Sequence, residues 1–335
     1  MTRTIRTEWQ PGLHQIKVPL PFPLRWVNSY LLEGTDGWTV IDPGLHTPES
    51  VGLWEETLAE MEIEFNEIVQ IVLTHHHPDH YGLSGLFQER SGGAPVYISS
   101  TGASQISQLW GDGMPMSDRL MAVFLLHGLD RQLTEPMREH MGSFIPQVSP
   151  QPVLTSIEAD VSLLIAGREY RPIHTPGHAD GHLSFYDEVR RELICGDHVL
   201  PQITPNVGYL PGFDPNPLRT YLRSLDEAAS LQVGRAYPGH RDPFTTYAER
   251  AEEIVLHHEE RLLQMRTLLQ ERPLSAYALC RELFGDRLSV HQLRFALSET
   301  IAHVIYMQEE EQIREKQAED GTLLYEALQT NRSVF

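Results

Sequence analysis

Apolar positions in the first hundred residues come in short runs punctuated by glycine, proline and small polar residues. Several of these runs fit an extended backbone better than a helix. Residues 14–18, 29–32 and 38–41 are expected as consecutive strands, the last two joined by the turn Gly34-Thr35-Asp36-Gly37. Asp42-Pro43-Gly44 ends the third strand. The period then changes. Val51, Trp54, Leu58 and Met61 form a helical stripe across residues 48–61, with Thr47 placed to cap it and Pro48 suited to its first position. The run Ile68-Val69-Gln70-Ile71-Val72-Leu73 reads as a strand, residues 83–89 as a helix and 95–98 as a strand. This βα alternation after a hairpin-rich start predicts an α/β sandwich.

Residues from about 100 to 150 break the alternation. They hold Met114, Met116, Met121, Met137 and Met141, five of the nine methionines, and Met116, Leu120, Val123 and Phe124 follow helical spacing. A helical insertion is expected, either an adaptable apolar lid or helices packed on the body. Strands resume at 161–164, 169–174, 183–186, 192–196 and 235–237. From residue 248 the pattern is helical: 248–269, then 277–284, 290–306 and 321–327, with Glu271-Arg272-Pro273 as a break. The expected organisation is a catalytic domain over 1–248 and a small helical domain over 249–335, with no internal repeat.

Composition narrows the function. The 335 residues are 41% hydrophobic, enough for a full core, and carry a net charge of −20. Such a chain repels polyanions at long range, which argues against nucleic acid or an anionic membrane surface as the main partner. Cys195 and Cys280, the only cysteines, are too few for a disulfide framework. No run approaches the roughly 18 apolar residues of a membrane span, and the first residues lack a signal-peptide core, so a cytoplasmic location is the default expectation.

The candidate chemistry lies at the ends of the strands. Thr74-His75-His76-His77-Pro78-Asp79-His80 follows the 68–73 strand. Read as His-x-His-x-Asp-His, it carries three imidazoles and a carboxylate, and burying them there is costly unless a cation pairs them. In extended backbone His75 and His77 point to one side, leaving Asp79 and His80 to turn towards a second ion roughly 3.5–4 Å from the first. Three more segments end the same way: His174-Thr175-Pro176-Gly177-His178, Gly196-Asp197 and Tyr237-Pro238-Gly239-His240. Four His/Asp segments at strand ends, each beside a Gly or Pro, point to a metal site. His257 and His258, adjacent in a helix, face different directions and read as structural. Cys195 reads as a small core residue rather than a nucleophile.

With these motifs, residues 13–243 resemble the metallo-β-lactamase superfamily of metal-dependent hydrolases. The resemblance implies a four-layer αβ/βα sandwich, here with the helical insertion and the small C-terminal domain. It implies that His75, His77 and His178 hold one divalent ion, that Asp79, His80 and His240 hold a second, and that Asp197 bridges them. Zinc is the first expectation, with iron or manganese as alternatives. Asp42 matches a position that supports the ligand loop, and His76, His182 and His198 lie near ligands as supporting or packing residues. Two such ions would generate a metal-bound hydroxide that attacks a carbonyl or phosphorus, with Asp79 also accepting a hydrogen bond from the nucleophile.

Within that superfamily, His77 departs from the diiron flavoprotein pattern. Leu200 stands where lactonases of this type often have Tyr. The segment 201–211 contains no Lys or Arg for glutathione. Gly196-Asp197-His198-Val199-Leu200-Pro201, Tyr221-Leu222-Arg223-Ser224-Leu225 and the helical C-terminus resemble glyoxalase-II-like and β-lactamase-like-protein-2-type hydrolases with a winged-helix-like module. Family members with such a module include thioesterases and a ribonuclease. The leading expectation is a hydrolase of a small-molecule thioester, ester or lactone. The alternative is a phosphodiesterase or ribonuclease using the same ions. Residues 251–335 hold 9 Lys/Arg against 15 Asp/Glu, which disfavours nucleic-acid binding and leaves that module a buttressing or homodimer-forming role.

Overall fold

The computed structural model describes residues 5–111 and 113–328; the extreme ends of the two expected domains lie outside the described residues. Strands β1 (Arg6–Gln10), β2 (Leu13–Pro19), β3 (Trp26–Gly34) and β4 (Gly37–Ile41) make an antiparallel meander, and Gly34 pairs with Gly37 across the tight turn expected there. Helix α1 (Pro48–Glu60) begins as its sequence dictates: Thr47 Oγ1 accepts the Ser50 N–H at 3.1 Å. Then come β5 (Ile68–Val72), the one-turn α2 (Pro78–Tyr81), α3 (Ser84–Arg90) and β6 (Val96–Ser99). The insertion consists of α4 (Ser100–Trp110), α5 (Pro115–Leu126) and α6 (Thr134–Gly142), and returns to the sheet as β7 (Leu154–Ile157). Strands β4 to β7 pair in parallel and complete a seven-stranded sheet in chain order.

The second sheet holds β8 (Leu163–Ile165), β9 (Arg168–His174), β10 (Leu183–Asp187) and β11 (Glu192–Gly196), paired antiparallel. Helix α7 (Pro217–Ala229) then crosses to β12 (Arg235–Pro238), parallel to β11. Strand alternation builds two cores. Leu31, Val40 and Ile71 pack on the helix side, while Leu32, Ile41 and Val72 meet Phe185, Ile194 and Tyr237 between the sheets. Strands buried on both faces read as near-continuous apolar runs, which is why they stand out in the sequence. The result is the expected α/β sandwich of two sheets between helical layers.

Helices α8 (Tyr247–Glu271), α9 (Ala276–Phe284) and α10 (Val290–Glu309) form the C-terminal region with a hairpin of β13 (Ile313–Gln317) and β14 (Leu323–Ala327). Residues 321–327, expected as a helix, are therefore a correction. Leu323, Tyr325 and Ala327 reach the core at a period of two, and the Tyr325 backbone pairs with Leu274 in both directions at 2.8 and 3.0 Å. β7 has no counterpart among the expected strands. Met116, Met121, Met137 and Met141 are fully buried, so the methionines pack the insertion onto the body and do not line a lid. No helix among the described residues is long and apolar enough to cross a membrane.

Candidate metal centre

β5 ends just before the histidine run, and Pro78 ends the extended stretch. His77 keeps extended backbone (φ −65°, ψ 145°) as the residue before α2, and the single turn that follows redirects Asp79 and His80. Loops after β9, β11 and β12 bring His178, Asp197 and His240 to the same edge. The seven residues converge. One donor atom from each of His75, His77 and His178 lies within 4.8 Å of the others, and the same holds for Asp79, His80 and His240. Asp197 Oδ2 lies 3.6 Å from His178 Nε2, 3.5 Å from His80 Nε2 and 3.4 Å from His240 Nε2, so it stands between the two groups.

Outer partners fix which nitrogen of each ring carries the proton. His178 Nδ1 donates to the Asn206 carbonyl at 2.7 Å, His240 Nδ1 to the Trp26 carbonyl at 3.0 Å and His80 Nδ1 to Asp42 Oδ2 at 2.9 Å. Thr74 Oγ1 donates to Asp42 Oδ2 at 2.6 Å and so accepts from His75 Nδ1 at 2.9 Å. Four rings thus aim Nε2 lone pairs inward. His77 Nδ1 sits 3.0 Å from His75 Nε2 and 2.9 Å from His178 Nε2. Such crowding of lone pairs suits a cation. His80 Nε2 and Asp197 Oδ1 are also buried with no hydrogen-bond partner. These residues fit divalent metal.

The electrostatics split the two groups. Burial first, and then neighbouring imidazoles, hold His75 and His77 well below the ordinary histidine range; burial also depresses His178. These rings are neutral, the form that binds metal. Burial also opposes charge on His80 and His240, but Asp197 and the other nearby carboxylates outweigh it and raise both, His240 to about 10. Burial pushes Asp197 up, yet His240 and His80 hold it well below the usual carboxylate range.

Close approach of the loops depends on glycine. A Cβ on Gly239 would lie 2.2 Å from Asp197 Oδ1 and 2.6 Å from His80 Cε1. Asp42 itself adopts φ +50° and accepts the Thr74 N–H at 2.8 Å, which ties the histidine loop to β4. His182 Nε2 accepts the Asp197 N–H at 3.1 Å. His198 faces the other way: its ring bonds Tyr247 Oη at 3.0 Å and Ser224 Oγ at 2.9 Å. His258 bonds His303 at 3.0 Å inside the C-terminal core, away from the centre. Cys195 is a buried core residue.

A cavity of about 520 Å³ opens onto Asp79, His178, Asp197 and His240. The insertion lines it with Leu109, Trp110 and Leu120, and the C-terminal region with Phe284, Leu288, His291, Arg294 and Phe295. The sequence pattern does not reveal these wall residues. Arg294 leaves one trace: it shares the stripe of Val290, Leu297 and Ile301 on an otherwise apolar helix face. Asn206, whose carbonyl fixes His178, leaves none.

The model of the metallo-beta-lactamase superfamily matches residues 24–240, and that of the metallo-beta-lactamase-like C-terminal domain matches residues 262–328. A metallo-beta-lactamase family protein of Thermus thermophilus is 36% identical, covering 96% of this chain and all of its own, with a TM-score of 0.85. A beta-lactamase domain protein of Burkholderia ambifaria is 26% identical over 96% of this chain and 94% of its own, with a TM-score of 0.84. A curated relative in Bacillus subtilis (strain 168), "Probable metallo-hydrolase YqjP", is 29% identical over 89% of this chain and 92% of its own length.

Proposed function

The chain belongs to the metallo-beta-lactamase superfamily and is a metal-dependent hydrolase, and from that premise we propose that it hydrolyses a thioester, ester or lactone at a two-ion centre. His75, His77 and His178 would hold one ion and Asp79, His80 and His240 the other, with the Asp197 carboxylate placed between the two groups. The imidazole-rich donor set suits zinc, with iron or manganese as alternatives. When bound, two divalent cations supply Lewis acidity that acidifies water and polarises a scissile oxygen. Asp42 holds His80, and the carbonyls of Asn206 and Trp26 hold His178 and His240, so the donor atoms are oriented before substrate arrives. The Asp79 carboxylate lines the cavity and accepts the proton of the attacking water. Leu109, Trp110, Leu120 and Phe295 exclude bulk water and hold an apolar acyl group.

The observation that carries this reading is the wall of the cavity. Arg294 is the only Lys or Arg among the described residues lining it. A polynucleotide needs several phosphate contacts. The test is metal content per chain, with hydrolysis of acyl-CoA and glutathione thioesters, lactones and bis(p-nitrophenyl) phosphate. Two ions per chain and chelator-sensitive turnover of an acyl substrate are expected. Turnover of the phosphodiester alone would overturn the acyl reading.

A further inference from the structure

Arg294 is a cation without a counter-ion among the described residues. Its Nε is shielded from solvent and has no hydrogen-bond partner. No carboxylate among the described residues forms an ion pair with it. The nearest acid along α10, Glu299, is engaged by Asn206 Nδ2 at 2.6 Å and Arg261 Nη1 at 3.6 Å. The other acids of the cavity are also taken: Asp180 accepts the Asp214 N–H at 2.7 Å, and Asp79 and Asp197 belong to the metal centre. What surrounds the guanidinium is the Phe295 ring, 4.3 Å from its Cζ, and two imidazoles, His140 and His291, whose protonation its charge opposes. Burial lowers its own pKa to about 10, which leaves it charged at neutral pH.

An unpaired, partly desolvated guanidinium is costly in an apolar wall, and a bound anion relieves that cost through its fork of N–H donors. The cavity joins this cation to the carboxylates and imidazoles of the centre through a largely apolar lining. We propose that the substrate is an acyl compound carrying an anionic group, a carboxylate or a phosphate, which Arg294 binds while the scissile carbonyl lies at the His/Asp centre. This assignment rests on the hydrolase reading above, and it names what that reading leaves open: a charged feature of the substrate other than the bond that breaks.

The test compares thioesters of the neutral thiol N-acetylcysteamine whose acyl chains end in a carboxylate or in its methyl ester. A third substrate carries the neutral acyl group on coenzyme A, so that the phosphates are the only anions. Wild-type holoenzyme is expected to prefer one anionic substrate by roughly 10- to 100-fold in kcat/KM. Which of the two it prefers separates carboxylate from phosphate. Arg294→Gln is expected to lose that preference and Arg294→Lys to keep part of it. No preference in the wild type, or the same preference in Arg294→Gln, overturns the proposal. Calorimetric binding of suberate and of inorganic phosphate to the same proteins supplies a readout without turnover. If no thioester is hydrolysed but either anion binds Arg294→Gln at least tenfold more weakly, the acyl reading falls and the anion site stands. Equal binding to both proteins removes the site.

Discussion

The two ends of the cavity are built differently. The metal end is a set of loops after strands in which four of the five histidines are aimed by a second hydrogen bond: His80 by Asp42, His75 by Thr74, His178 by Asn206 and His240 by Trp26. Much of the remaining wall is assembled by packing, from α4 and α5 of the insertion and α9 and α10 of the C-terminal region. Chemistry that must hold atoms to a fraction of an ångström uses short, strongly specified loops on a rigid sheet. Shape that must suit one substrate comes from helices that can be repacked without disturbing the reaction. The difference predicts that damage at the metal end lowers kcat and metal content, whereas damage at the wall raises KM and leaves the metal in place.

Asp197→Ala tests the first half most severely. It removes the one carboxylate within 3.6 Å of rings from both groups. Loss of several kcal/mol of charge stabilisation corresponds to roughly a thousandfold or more in kcat/KM, with metal content expected to fall below two ions per chain. Full turnover with two ions retained would mean that Asp197 does not bridge.

Gly239→Ala probes the same end without replacing a ligand. A methyl group 2.2 Å from Asp197 Oδ1 forces the β12 loop or the carboxylate to move. A shift of that size is expected to cost roughly a hundredfold in kcat, with weakened metal binding measured by competition with a chelator. Unchanged affinity and rate would show that the loops are looser than their hydrogen bonds imply.

Phe295→Ala moves the test to the wall. Phe295 lines the cavity but bonds no ligand. Removing its ring is expected to raise KM by about tenfold, in line with the apolar area lost, with kcat within about threefold and metal content unchanged. A large fall in kcat instead would erase the distinction between the two ends.

The same contrast explains what can be read from the sequence. His75, His77, Asp79 and His80 lie within six residues, and His178, Asp197 and His240 each follow a strand and come directly after a glycine, so local spacing exposes all of them. Strands buried on two faces declare themselves as apolar runs. The wall cannot be read this way, because Trp110 and Phe295 line one cavity from positions 185 apart in the chain and each looks like an ordinary core position. Residues 321–327 mislead for a related reason. The five residues of β14 sample too few periods to separate a strand from a helix, and only the pairing of Tyr325 with Leu274 decides it.

Glu299 gives the smallest and most selective test. Burial raises its carboxyl to about 7 against the opposing pull of Arg261 and Asn206. Folding therefore favours the protonated acid. Its stabilising effect is complete below the unfolded value of roughly 4.5 and is lost as pH rises through about 7. Glu299→Gln removes the charge while keeping an oxygen for Asn206 Nδ2, so it is expected to match the wild type near pH 4.5 and to exceed it at pH 8.5. The gain should be about 1–3 kcal/mol, read from denaturant midpoints at the two pH values. Because the contact runs through the Asn206 side chain while His178 is held by the Asn206 carbonyl, metal content should not change. A variant less stable than the wild type at pH 8.5 would make the Arg261–Glu299 pair a net source of stability. A loss of metal would show that α10 positions His178 through Asn206, which is bonded to both.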